Sequence, residues 1–133
     1  MTIEGFINRV RSLNAKDLII KAVREREAEL ADLNVEQLEK SKYSTGETIE
    51  PEYSSDYASF KGFKNPDLKL TGDFHSGIFA DVQGDVIEFD STDFKASKLQ
   101  GKYGDDIFGV TDEGLIETAD MDLPEIIDNE LTR

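Results

Sequence analysis

No cysteine occurs in the 133 residues, which excludes a disulfide framework, a thiolate metal site and a cysteine nucleophile. Histidine occurs once, at position 75, so imidazole chemistry has a single candidate. No stretch approaches the ~18–20 consecutive apolar residues of a membrane span. The opening MTIEGFINRVRSLNA lacks the basic start and apolar centre of a secretory signal, so folding in the cytosol is the expectation. Basic residues run out toward the end: residues 105–133 hold Arg133 alone against ten acidic side chains.

What is present is acid, unevenly spread. The formal charge is -14. Residues 1–42 balance eight acidic against eight basic side chains, and residues 43–104 carry eleven against six. No basic stripe exists to displace counterions from phosphates, so sequence-specific nucleic-acid binding is not expected. Such a surface keeps the chain soluble, repels passing DNA or meets a basic partner. The length suits one domain, 1–133, and 38% hydrophobic residues support a core of limited size.

The stretch from Asp67 to Gly109 organises the rest. Phe74, Ser76, Ile78, Ala80 and Val82 alternate with His75, Gly77, Phe79 and Asp81, which predicts a strand. Gln83-Gly84-Asp85 is the expected turn, and Val86–Ser91 returns with Ile87 and Phe89 on one face. Both faces of the first strand carry apolar residues, so cover on both sides is expected. The Thr71-Gly72 pair is expected to turn into the hairpin, with Gly72 at positive φ.

Upstream, Ile3, Phe6, Ile7, Val10 and Leu13 recur at helical spacing, with Asn14 as a stop or as the cap of the next helix. That long helix is predicted from Ala15 to about Leu33. Ile19, Ala22, Val23, Leu30 and Leu33 fall on one side, and the opposite side is charged, with Lys21, Glu25 and the REREAE run on it. Asn34 then opens NVEQLEK, a third helix or a continuation. Residues 41–66 change character, with aromatics among Ser, Thr, Gly and Pro. Thr45-Gly46-Glu47 reads as a turn, Thr48–Glu50 as a short strand, and Ser54 or Ser55 as the cap of a helical turn through Tyr57, Ala58 and Phe60. Aromatics in such a segment either pin it to the domain or form a binding platform.

Downstream, Asp93–Tyr103 reads as a helix with Phe94, Leu99 and Tyr103 inward, ended by Gly104. Ile107–Val110 is an apolar patch in an acidic setting. Thr111 caps DEGLIE, and Pro124 starts a last helix, PEIIDNEL, with Ile126, Ile127 and Leu131 inward. The fold class is α+β. A long N-terminal helix packs on a small antiparallel sheet with a central β-hairpin, followed by short C-terminal helices. Residues 1–40 form the N-terminal helices, 41–66 an extended loop or arm, 67–110 the hairpin core and 111–133 an acidic helical segment.

Catalytic patterns are thin. No serine or cysteine is placed to use His75. Asp73, His75 and Asp81 form a conceivable carboxylate–histidine metal site without a recognisable ligand spacing. Asp90-Ser91-Thr92-Asp93 resembles alternating oxygen ligands but lacks the calcium loop's glycine and closing glutamate. GKYGDD sets acid where an anion would sit. The expectation is therefore no catalytic residue, no metal and no cofactor.

Several segments resemble the phage virion-morphogenesis and tail-completion proteins of Bacteroides-type phages and prophages. They are QLEKSKYSTGETIEPEYSSDYASFKG, DLKLTGDFHSGIFADVQGDVIEF, KYGDDIFGVTDEGL and LPEIIDNEL, together covering roughly residues 37–131. The sequence departs from related head–tail proteins where Asp105-Asp106-Ile107 precedes the apolar patch. The resemblance implies a structural protein of the virion neck or tail, a head–tail connector or tail-completion component. It would be assembled in the host cytoplasm, forming a ring with copies of itself and contacting portal or tail proteins. In that case Tyr43, Tyr53, Tyr57, Phe60 and Phe63, the hairpin tip at Gln83 and Asp85, and Ile107, Phe108 and Val110 are the expected contacts. The acidic face would lie along a DNA conduit without sticking to it. A small acidic regulatory protein that mimics DNA is the alternative.

Overall fold

The computed structural model describes residues 2–69 and 71–132. The elements in chain order are α1 (Ile3–Ser12), α2 (Ala15–Arg24), α3 (Glu27–Glu39), α4 (Ser55–Lys61), the one-turn α5 (Asp73–Ser76), β1 (Ile78–Gln83), β2 (Val86–Ser91), α6 (Ala96–Tyr103), a 3-10 turn (Asp105–Ile107) and α7 (Asp112–Leu131). The α+β class stands, with helices gathered around one antiparallel hairpin.

Local chemistry sets most helix starts. Thr2, Asn14, Ser54 and Thr111 each accept a hydrogen bond from the backbone N–H three residues on, which satisfies a donor the helix leaves unpaired. Gly104, at φ 99°, ends α6.

The hairpin pairs Ile78 with Ser91 through Gln83 with Val86, turning at Gly84 with φ 62°. Its inner face is Ile78, Ala80 and Val82, and α3 and α2 cover it. A lone two-stranded ribbon is marginal in water, so this cover is what holds it. Glu27 of α3 also reaches the outer edge of β1, where Val82 N–H donates to Oε2 at 2.6 Å. That contact blocks part of the edge against further strand pairing.

Several expectations are corrected. Residues Asp73–Ser76 form a helical turn, not the start of the strand; the alternation at 74–76 reflects a buried Phe74 and His75 side by side. The second sheet face is open: Phe79 is 40% exposed, and Val86 and Glu88 lie beside it in solvent. Asp81 stands directly opposite Glu88 on this face, a like-charge pair that needs water.

The predicted long helix breaks between Arg24 and Glu27 without a glycine or proline. Arg26 sits at the break and donates from Nε and Nη2 to the two carboxylate oxygens of Asp122 in α7, both at 2.8 Å. Its hydrogen bonds to Asp122 and then Glu29 hold the guanidinium firmly charged, and the same contact draws the Asp122 carboxyl below its ordinary value. Asn34 lies inside α3 and is buried; it does not open a helix.

At the other end, α7 continues past Pro124 as one helix of 20 residues. The proline ring removes the N–H that would donate to Asp120 O, four residues back. No basic residue lies in the last turn of α7; Arg9 of α1 supplies one, donating to Leu131 O at 2.6 Å.

The core forms two adjoining clusters. Leu38, Ile49, Leu68, Phe74, Ile78 and Ile107 centre one; Val23, Leu30, Ala80, Val82 and Ala119 centre the other. Gly72 has φ 89°, as the turn into this region requires. A Cβ there meets only Lys69 Cε at 3.9 Å, so backbone strain alone sets the penalty. Gly72→Val should cost about 1 kcal/mol or more in denaturant titration, and full stability would remove the turn from the account.

Candidate interaction surface

Residues 41–66 leave α3 and return to the domain on three anchors. Ile49 is fully buried in the first cluster. Tyr43 lies half buried, its Oη 2.6 Å from Tyr103 O and 2.9 Å from Glu50 O. Asp67 is the third anchor. Its Oδ1 accepts from the Tyr53 hydroxyl, from Lys69 N–H and from Lys61 Nζ, each at 3.1 Å. Lys61 also donates to Lys69 O at 2.7 Å. Both partners of the Lys61–Asp67 pair are largely covered, where removing either would strand the other charge. Burial, opposed by the Asp67 N–H but joined by the Asp67 carboxylate, pushes the Tyr53 phenol up to about 12.

The backbone carbonyl of Asp67 takes a hydrogen bond of 2.7 Å from His75 Nε2. His75 Nε2 therefore carries the proton, and Nδ1 is buried without a hydrogen-bond partner among the described residues. Burial lowers the imidazole pKa. Protonation then favours the unfolded chain, so stability is complete above about pH 6.5, the unfolded value, and falls as pH drops below it. Melting temperatures between pH 7 and 5 should show this slope, and His75→Gln should flatten it; an equal slope in the variant would contradict the assignment. His75, Asp73 and Asp81 do not converge. Asp73 accepts from the Thr71 hydroxyl, Asp81 from the Gln83 amide, and no group of three or more such ligands forms among the described residues.

These anchors hold up an aromatic ledge. Tyr53 contacts Tyr57 with ring centroids 4.7 Å apart, Tyr57 stacks with Phe60 at 6.2 Å, and Phe63 lies 6.3 Å from Tyr53. Lys61 Nζ sits between, 5.9 Å from the Tyr53 centroid and 5.2 Å from that of Phe63. Phe60 is 83% exposed and Phe63 is also open to solvent. The five expected aromatics thus divide: Tyr43 and Tyr53 spend their hydroxyls inside the subunit, Tyr57 bridges, and Phe60 and Phe63 face out.

The other expected contacts also divide. Gln83 and Asp85 stand exposed at the hairpin tip. Lys16 lies 3.2 Å from Asp85 and lowers its carboxyl pKa, an exposed pair worth little to stability. Ile107 is not a surface residue: it is fully buried in the first cluster. Phe108 packs half buried, 5.8 Å from Phe74, and Val110 packs on the second cluster.

The reason is a clamp on α3. Asn34 Nδ2 donates to Ile107 O at 2.9 Å, and Gly109 N–H donates to Asn34 Oδ1 at 3.0 Å. One turn on, Gln37 Nε2 donates to Gly109 O at 2.9 Å and Oε1 accepts from Thr111 N–H at 3.0 Å. The only signal of this in the sequence is two amides three residues apart among the apolar positions Leu30 and Leu38. Phe94, expected inward, is 88% exposed, because α6 starts at Ala96, whose side chain takes the buried place.

Comparison with protein-family models, with curated proteins and with solved structures gives no match to this chain.

Proposed function

We propose that this chain is a structural subunit of a phage virion neck or tail, forming a ring with its own copies and docking on portal or tail neighbours. The observation that carries the reading is the ledge. Phe60 and Phe63 are exposed on a segment held in place by the buried Ile49 and by part-buried hydrogen bonds of Tyr43 and Tyr53. Rigid, preorganised aromatics give contact area at little entropic cost. The virion context is suggested by the resemblance read in four sequence segments, and the modest core of a chain whose described residues form one sheet of two strands supports the need for neighbours. In this role the protein works by contact rather than catalysis, and takes no cofactor. It acts in the particle after assembly in the host cytoplasm, and the acidic surface lets DNA pass without adhering.

Replacing Phe60 and Phe63 together by Ser should leave the melting temperature nearly unchanged and reduce incorporation into particles about tenfold or more. Incorporation at the wild-type level would remove the ledge from the assembly.

One observation favours the second reading, an acidic DNA mimic. The outer face of α7 presents Asp112, Glu113, Glu117, Asp120, Glu125 and Asp128, all exposed, along a helix of about 30 Å. Displacement of duplex DNA from a basic DNA-binding enzyme at micromolar protein would favour this reading; no displacement would remove it.

A further inference from the structure

Positive charge is scarce in this protein, yet three lysines meet at one recess. Lys69, Lys95 and Lys102 line a pocket of about 250 Å³ whose apolar walls include Tyr53, Phe74, Leu99 and Tyr103. No carboxylate lines it among the described residues. Lys95 leans on Asp93 at 3.4 Å, whereas Lys69 and Lys102 have no carboxylate within ion-pair reach among the described residues. Lys102 Nζ instead rests 5.2 Å from the Tyr103 ring centroid. A recess with aromatic walls and a cationic rim fits an apolar side chain flanked by carboxylates.

The same molecule carries that complement. On α7, Asp112, Glu113, Ile116, Glu117, Asp120, Met121, Pro124 and Glu125 are exposed at helical spacing, while Gly114, Thr118, Ala119 and Ile126 are buried on the opposite side. Ile116 is 60% and Met121 56% exposed. Glu113, Glu117 and Asp120 flank these two side chains and have no basic partner among the described residues. An apolar pair set among acids thus stands ready on one element, and a cationic aromatic recess on another.

We infer that the recess lined by Lys69, Lys95 and Lys102 is the docking site for the outer face of α7 from a second copy of this chain. Ile116 enters the apolar part, and Glu113, Glu117 and Asp120 meet the lysines. The two surfaces differ, so the contact is heterologous and propagates from copy to copy until a ring closes. It also answers how a chain of charge -14 can self-associate: its densest acid meets its scarce base. The inference rests on the ring reading and adds the contact that builds it.

Charge exchange tests it. Lys102→Glu and Glu117→Lys both alter exposed side chains, so each variant should fold, as circular dichroism will show. Sedimentation at up to millimolar protein and low salt should show the wild type associating and each variant about tenfold weaker or more. An equimolar mixture of the two variants should associate again, because each recess then finds an opposite charge. Carbodiimide coupling of mixed light and heavy-isotope wild-type chains should join Lys95 or Lys102 of one chain to Glu113, Glu117 or Asp120 of another. A monomeric wild type, no restoration on mixing, or inter-chain links only at other residues would each overturn the contact. Lysine links in particles solely to a different protein would do so too. The ring reading fails separately, by absence of the chain from particles; a ring built through another surface leaves it standing and sinks this contact alone.

Discussion

Ile78→Asp should lower unfolding stability by about 3–5 kcal/mol, the scale of an unpaired charge placed in a core. Domains of this kind have about 5–15 kcal/mol in total, so the variant should be largely unfolded at modest denaturant. Ile78 is buried in the first cluster with Leu38, Ile49 and Phe74, and its strand partner Ser91 donates to Phe74 O at 2.9 Å. The cluster around it is apolar, so the carboxylate would lose its hydration there. Phe79→Asp, one residue along on the open face, should cost under about 1 kcal/mol. Equal effects of the two changes in guanidinium titration would contradict the one-sided hairpin. An unchanged midpoint for Ile78→Asp would remove the hairpin as the centre of the fold.

The second large effect is expected at a polar residue. Asn34→Leu removes the partners of both Ile107 O and Gly109 N–H while adding apolar volume in a fully packed place. Leaving the buried Ile107 carbonyl and the part-buried Gly109 N–H unsatisfied should cost about 2–4 kcal/mol for the pair. Asn34→Asp keeps an acceptor for Gly109 N–H, but turns a carboxylate oxygen toward the Ile107 carbonyl. Its loss should be comparable and should shrink at a pH where the acid is protonated. Thermal melts check both, and hydrogen exchange at Gly109 should quicken in each. A variant as stable as wild type would show that the clamp does not hold the 107–111 segment.

These two residues also show what the sequence made legible. The hairpin was readable because its turn needs a residue that tolerates positive φ, and Gly84 stands there between alternating strands. Thr111 is readable as a cap, and a serine at 54 or 55 as another, with Ser54 the one that caps, since this function depends only on nearest neighbours. Gly104 was readable as a stop for the same reason. What could not be read depends on distant partners. Nothing near Arg26 announces a helix break; the side chain at the break is tied to Asp122, 96 positions away. Pro124 reads as a helix start, yet α7 continues through it, with Ala119 before it and Ile126 after it buried in the fold.

The candidate contacts divide along the same line. Ile107 in an acidic setting looked like an exposed patch, because the amides that bury its backbone lie 73 residues earlier. Phe94 looked like a core residue at helical spacing, and the late start of α6 turned it out instead. Tyr43 and Tyr53 were indistinguishable by type from Phe60 and Phe63. The phenol hydroxyls decide the matter, since Tyr103 O and Asp67 give them partners inside the subunit. The aromatic ledge that survives is smaller than the sequence suggested and better supported from beneath.

The central claim is that this chain is built into particles. Quantitative mass spectrometry of purified virions tests it most directly. The account predicts the chain in every preparation, at a fixed ratio to the portal protein that corresponds to a small whole number of rings per particle. Absence from particles, with the chain found only in infected or host cytosol, would contradict it.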